Sequence, residues 1–148
     1  MPTLAINKKA KYNYKILETF EAGLVLSGHE VKAIKTGKVS LKGSYISLKD
    51  GEIYLINAHI APYQPVNVPE KYNPTQNRKL LLHKREIKYL IGKIQEKGLT
   101  LVPLKLYTKK SKIKIEFALA KGKRKVDKRE SIKKRESQRR IEYFLKRN

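Results

Sequence analysis

The chain has no cysteine and no tryptophan, a single methionine, and few carboxylates for its size. Without cysteine there is no disulfide framework, no thiol nucleophile and no thiolate metal ligand, which fits a cytoplasmic protein. No apolar stretch approaches the roughly 18 residues of a spanning helix, so no membrane partner is expected. The N-terminal stretch lacks the apolar core of a secretory leader. Position 2 is Pro2 rather than a glycine that could carry a myristoyl chain. Acidic residues number 13 against 35 Lys and Arg, for a formal net charge of +22 over 148 residues. Self-repulsion on that scale calls for a polyanionic partner, and nucleic acid comes first.

Catalytic constellations are missing as well. His29, His59 and His83 stand neither four apart nor beside a carboxylate cluster, so neither metal nor cofactor is expected. There is no nucleophile elbow and no phosphate-cradling glycine loop. Glu21 and Glu30 are a candidate acidic pair of the N-terminal half. A lone pair in sequence is thin support for a general acid and base. The expectation is a binding protein and not an enzyme.

What is present is basic residues interleaved with aromatics. Nine Tyr and three Phe are spread among Lys and Arg, as in Lys11-Tyr12-Asn13-Tyr14-Lys15. Such mixtures offer phosphate contacts and stacking surfaces for unstacked bases, although about half of these rings should fill a core. From Lys121 onward, 13 Lys/Arg face 4 Asp/Glu, and Ile132 is the one aliphatic residue between Asp127 and Arg140. That segment has no stripe to bury. Glu130 and Lys134, Glu136 and Arg140, and Glu142 and Lys146 are spaced four apart in the helix-favouring order. Residues 122–148 therefore read as a basic tail, disordered when free and helical against a polyanion, appended to a domain over 1–121.

Along that domain, residues 1–11 read as a loose basic arm. Strand signal runs from Tyr12 to Leu26 with a bend at Gly23. A short helix is expected over His29 to Lys35, stopped by Gly37. Asp50-Gly51 between β-rich runs signals a hairpin. Four prolines and three asparagines between Ala61 and Asn77 mark a long loop. Arg78 to Leu82 is a short strand or a helix lead-in. Ile87, Leu90, Ile91 and Ile94 give a helical face within Lys84 to Lys97. Leu99 to Tyr107 is a strand in which Pro103 argues for an edge or bulge. Ile113 to Leu119 alternates cleanly. This order suits a mainly β fold, a small closed or partly closed β-barrel with flanking short helices, more than a parallel α/β sheet.

The stretches FEAGLVLSGHEVKAIKTGKVSLKGSYI, GEIYLINAHIAPY, RKLLLHKREI, KGLTLVPLKLY and ALAKGKRKVDKRESIKKRE resemble the SsrA-binding protein family, also called small protein B. The likeness runs from about Ile6 to Ile141. It implies a barrel of oligonucleotide-binding (OB) type that holds the tRNA-like domain of transfer-messenger RNA, at its D-arm and elbow. It implies delivery of that RNA to ribosomes stalled on messages lacking a stop codon (trans-translation), by a monomeric cytoplasmic protein. The tail would lie in the empty mRNA channel beyond the decoding centre, against ribosomal RNA. Matching positions imply RNA contacts at Glu21, Leu81 and Lys114, at Asn7 in the arm, and at Gly122, Lys123 and Arg124. They imply ribosome contacts at Asp127, Lys128, Arg129, Phe144, Leu145 and Lys146. His29 stands where the family commonly has Thr or Trp, and Ser111 where it commonly has Gly. A structural module bound permanently to ribosomal RNA, like a ribosomal protein, is the alternative that the charge also permits. Leu81 as core and Glu21 as a surface ion pair are the plain alternatives at those positions.

Overall fold

The computed structural model describes residues 3–63 and 72–123. The arm expected to be loose is held: β1 (Thr3–Ile6) pairs antiparallel with β8 (Leu99–Lys109). Leu4 and Ala5 pack on the main core, and α1 (Ala10–Asn13) buries Ala10 against Val102 and Ala120. The stretch was misread because its lysines mask a four-residue strand whose partner lies about a hundred residues away.

β2 (Tyr14–Leu24) pairs with β9 (Lys112–Gly122) along most of its length and reaches β7 (Arg78–Leu81) at its end. Its bulge falls between Ile16 and Glu18 rather than at Gly23, where instead the strand touches both partners. α2 (Gly28–Lys35) starts on a capping box between Ser27 and Glu30 and buries Ala33 and Ile34 against Ile60 and Ile113. β4 (Tyr45–Lys49) and β5 (Glu52–Ile56) form the hairpin expected at Asp50-Gly51. Both turn residues take positive φ, 51° and 76°, as a two-residue type I′ turn requires. β3 (Val39–Ser40) and β6 (His59–Ile60) make a separate two-stranded ribbon.

α3 (Lys84–Ile94) is shorter than its apolar period promised, ending before Lys97. Leu90 is fully buried, and Ile87 and Ile94 pack beside it on the core. β8 and β9 form the longest hairpin. Its turn places Lys110 and Ser111 at φ of 52° and 65°, a conformation that glycine adopts at lower cost. β9 runs through Gly122, one residue past the boundary drawn at 121.

The large sheet has the order β1-β8-β4-β5-β7-β2-β9, and β8 also pairs with β9. Pairings followed from β8 through β4, β5, β7, β2 and β9 thus return to β8. Inside lie Ala22, Ile46, Leu55, Leu80, Leu106, Ile115 and Phe117. The fold is mainly β, with short helices around a large sheet.

Pro103 has no N–H to give a ladder. The β8–β9 register shifts between Pro103 and Lys105. Asn7 takes up the carbonyls beside that irregularity: its backbone N–H donates to Leu104 O at 2.8 Å and its Nδ2 to Pro103 O at 2.9 Å.

Candidate nucleic-acid interface

Residues alternate across a strand, so the inward Ala22 and Ile115 put Glu21, Gly23, Lys114 and Glu116 on the outer face. Register then sets the neighbours. Gly23 stands opposite Lys114 on β9 and opposite Leu81 on β7, and Glu21 stands opposite Glu116. Gly23 has no side chain, and its neighbours close over it. A Cβ there would lie 3.5 Å from the Leu81 side chain and 3.7 Å from Lys114 Nζ. Leu81 is 54% exposed, so it is a surface leucine and not core; the preceding Leu80 is the buried one. The structure therefore brings Glu21, Leu81 and Lys114 onto one face.

Glu21 is not a bare negative charge. Tyr107 Oη donates a short hydrogen bond to its Oε2, and Lys109 Nζ lies 3.2 Å from Oε1. The Tyr107 hydroxyl and then the Lys109 ammonium hold the Glu21 carboxyl below the usual carboxylate value. Burial, and next the Glu21 carboxylate, push the Tyr107 phenol upward, so it stays protonated and a donor. Lys105 Nζ pairs with Glu116 Oε2 at 3.3 Å and sits 5.6 Å from the Tyr107 ring centre. The surface ion pair and the position beside Lys114 coexist at Glu21. An ionised carboxylate offers about four acceptor positions. Tyr107 and Lys109 take up to three of them here, which still leaves room for a ligand donor.

Sequence reading missed Tyr107, Lys109 and Lys105. Strict alternation from the buried Leu101 would send Leu106 outward and Tyr107 into the core. The irregularity at Pro103 reverses that parity, so Leu106 is core and Tyr107 joins the outer face. Pro103 was the available signal.

The remaining predicted positions lie elsewhere. Asn7 lines a different depression, with Lys8, Lys42, Tyr45 and Thr100, and its amide serves the β8 irregularity. Gly122 pairs with Tyr14, and the Lys123 N–H donates to Asn13 O at 3.0 Å. Both sit at the far end of β9 from Lys114, at most roughly 30 Å away at about 3.3 Å per residue. Arg124, Asp127, Lys128, Arg129, Phe144, Leu145 and Lys146 lie outside the described residues.

Glu21 and Glu30 do not form a pair. Glu30 is buried with Arg78, whose Nε lies 2.7 Å from Glu30 Oε2. The histidines are dispersed too. His29 Nε2 accepts from the Tyr63 N–H at 2.9 Å, His59 is exposed on β6, and the His83 N–H donates to Glu86 Oε1 at the start of α3. Among the described residues, no group of three or more His, Cys, Asp or Glu side chains could hold a metal, and no helix is long and apolar enough to cross a membrane.

Comparison with known proteins places the chain in a family of the same topology. The family model described as SmpB protein matches residues 4–147. An SsrA-binding protein of Trichormus variabilis is 54% identical over 140 residues, covering 95% of this chain and 90% of that protein. One from Acetivibrio thermocellus is 54% identical over 145 residues, covering 98% and 94%. A chain of the solved structure "tmRNA-SmpB: a journey to the center of the bacterial ribosome" superposes with a TM-score of 0.68 at 46% identity, covering 89% of this chain and 95% of that one. Sequence and architecture agree over nearly the whole length, and the chain belongs to the SmpB family of SsrA-binding proteins.

Proposed function

We propose that the chain binds the tRNA-like domain of transfer-messenger RNA and delivers it to stalled ribosomes for trans-translation. The observation that carries this reading is the convergence of Glu21, Leu81 and Lys114 around Gly23, in a chain of this family. Lys114 supplies the phosphate contact, Leu81 an apolar surface for a splayed base or sugar, and Glu21 an acceptor for base amino or 2′-OH groups. The ring of strand pairings supports a closed barrel of OB type, whose curved outer surface carries this face. The protein acts as a monomeric binding factor in the cytoplasm, without catalysis. From Asp127 on, the tail is a second, separate element for the mRNA channel, where Asp127, Lys128, Arg129, Phe144, Leu145 and Lys146 meet ribosomal RNA. Asn7, Gly122, Lys123 and Arg124 are the outlying RNA contacts of the body.

Salt titration tests the face. Each phosphate contact releases counterions, so log affinity falls linearly with log salt. Lys114→Ala should weaken binding to the tRNA-like domain and reduce the slope of that line by about one. Unchanged affinity together with an unchanged slope would remove Lys114 from the interface.

A further inference from the structure

Glu21 poses a problem for an RNA-binding surface. A carboxylate that can swing freely meets phosphates with repulsion and bases only in passing. Its value as an acceptor depends on being held with its open lone pairs toward the ligand and its charge offset from behind. Two groups hold it. Lys109 is exposed, ends β8 beside the turn, and carries a flexible ammonium that can transfer to a phosphate. Tyr107 is different: it is 6% exposed, rigid from the ring outward, and its hydroxyl reaches Glu21 Oε2 from within the sheet.

We propose that Tyr107 is a positioning residue for RNA recognition: its hydroxyl clamps Oε2 of Glu21 and fixes the carboxylate for acceptance from base amino or ribose 2′-OH groups. Its ring is fixed in turn. Tyr107 stands opposite Lys114 across the β8–β9 ladder, and Lys105, paired with Glu116, lies over its face. One buried tyrosine therefore ties the acidic position to the basic position of the same face. The ordered carboxylate loses little side-chain freedom on binding, so more of each RNA contact appears as affinity. Because the hydroxyl donates, it stabilises the ionised form of Glu21, the form that can only accept. The proposal rests on Glu21 being an RNA contact, and its test keeps the two ideas apart.

The test compares the full chain with Tyr107→Phe, Glu21→Gln and the double variant. Three readouts are taken: affinity for a transcript of the transfer-messenger RNA tRNA-like domain at one salt concentration, the NMR titration of the Glu21 carboxyl, and the thermal midpoint. Tyr107→Phe removes one oxygen from a packed ring and should fold. It should weaken RNA binding roughly 3–10-fold, the range of an ordinary net hydrogen bond. It should raise the Glu21 titration midpoint, and the double variant should bind no worse than Glu21→Gln alone. A structural role at Tyr107 would instead lower the thermal midpoint and add its loss to that of Glu21→Gln, which overturns the proposal. So does wild-type affinity in Tyr107→Phe when Glu21→Gln is weakened. Wild-type affinity in Glu21→Gln removes Glu21 from the interface and the positioning role with it, even if the carboxyl titration still shifts.

Discussion

Replacing Arg78 with methionine should lower folding stability by about 3–5 kcal/mol, the cost of leaving a buried charge without its partner. Arg78 and Glu30 are each only 2% exposed. The guanidinium does more than neutralise Glu30. Its Nη1 donates to Ala58 O at 2.7 Å and its Nη2 to Pro74 O at 2.9 Å. Glu30 also accepts from the Ser27 N–H at 3.1 Å and from Gln76 Nε2 at 3.2 Å, and Tyr72 Oη donates to Ile60 O at 2.8 Å. This network fastens the segment after Tyr72 onto α2 and starts β7, the strand that presents Leu81. Methionine fills much of the volume but leaves the buried Glu30 carboxylate without its counter-charge and Ala58 O without the Arg78 donor, while Pro74 O keeps the Ile60 N–H. RNA affinity should fall with stability, because Leu81 loses its anchor.

The same pair has a pH signature. Burial pushes the Glu30 carboxyl up, but the Ser27 N–H and Arg78 outweigh it, and the net direction is down. A carboxylate whose folded value lies below its unfolded one stabilises the fold at neutral pH. That contribution disappears as pH falls from the unfolded value, about 4.3, through the folded one. In Arg78→Met the acid-side loss due to Glu30 should shrink, since burial is then opposed mainly by Ser27. Urea unfolding at neutral and acid pH measures both effects. A loss under about 1 kcal/mol at neutral pH would mean that the site relaxes or admits water.

Deleting residues 127–148 should leave affinity for the tRNA-like domain within about threefold, under roughly 0.7 kcal/mol, and reduce peptide tagging on stalled ribosomes to background. The body retains 22 Lys/Arg against 9 Asp/Glu before Lys121. The chain leaves that body beside Asn13, at the opposite end of β9 from Lys114. An element departing so far from Glu21, Leu81 and Lys114 has little to add to their RNA contact. Residues 127–148 carry 9 Lys/Arg of their own, which suit a second RNA surface. A large loss of affinity in the truncated chain would show instead that the tail and the face bind one RNA together.

Short-range chemistry was legible in the sequence. Asp50-Gly51 specified its turn, Gly37 marked the stop of α2, and Ile113 to Leu119 displayed its buried side. Glu21, Leu81 and Lys114 came together only through the family resemblance, since residues on three strands share no local pattern. What stayed hidden depends on distant partners. The Glu30–Arg78 pair spans 48 residues, and β1 is a strand because β8 is there to receive it. Tyr107 was hidden by parity, because one irregularity after Pro103 moves it from the expected core to the outer face.

The central claim is the identity of the ligand. Recovery of the full chain from cells, followed by sequencing of the RNA that co-purifies after ribosomes are removed, tests it directly. The account predicts strong enrichment of transfer-messenger RNA, lost from a Glu21→Gln/Lys114→Ala variant that still folds. Recovery of ribosomal RNA alone, with the protein sedimenting at one copy per subunit and no transfer-messenger RNA, would contradict it.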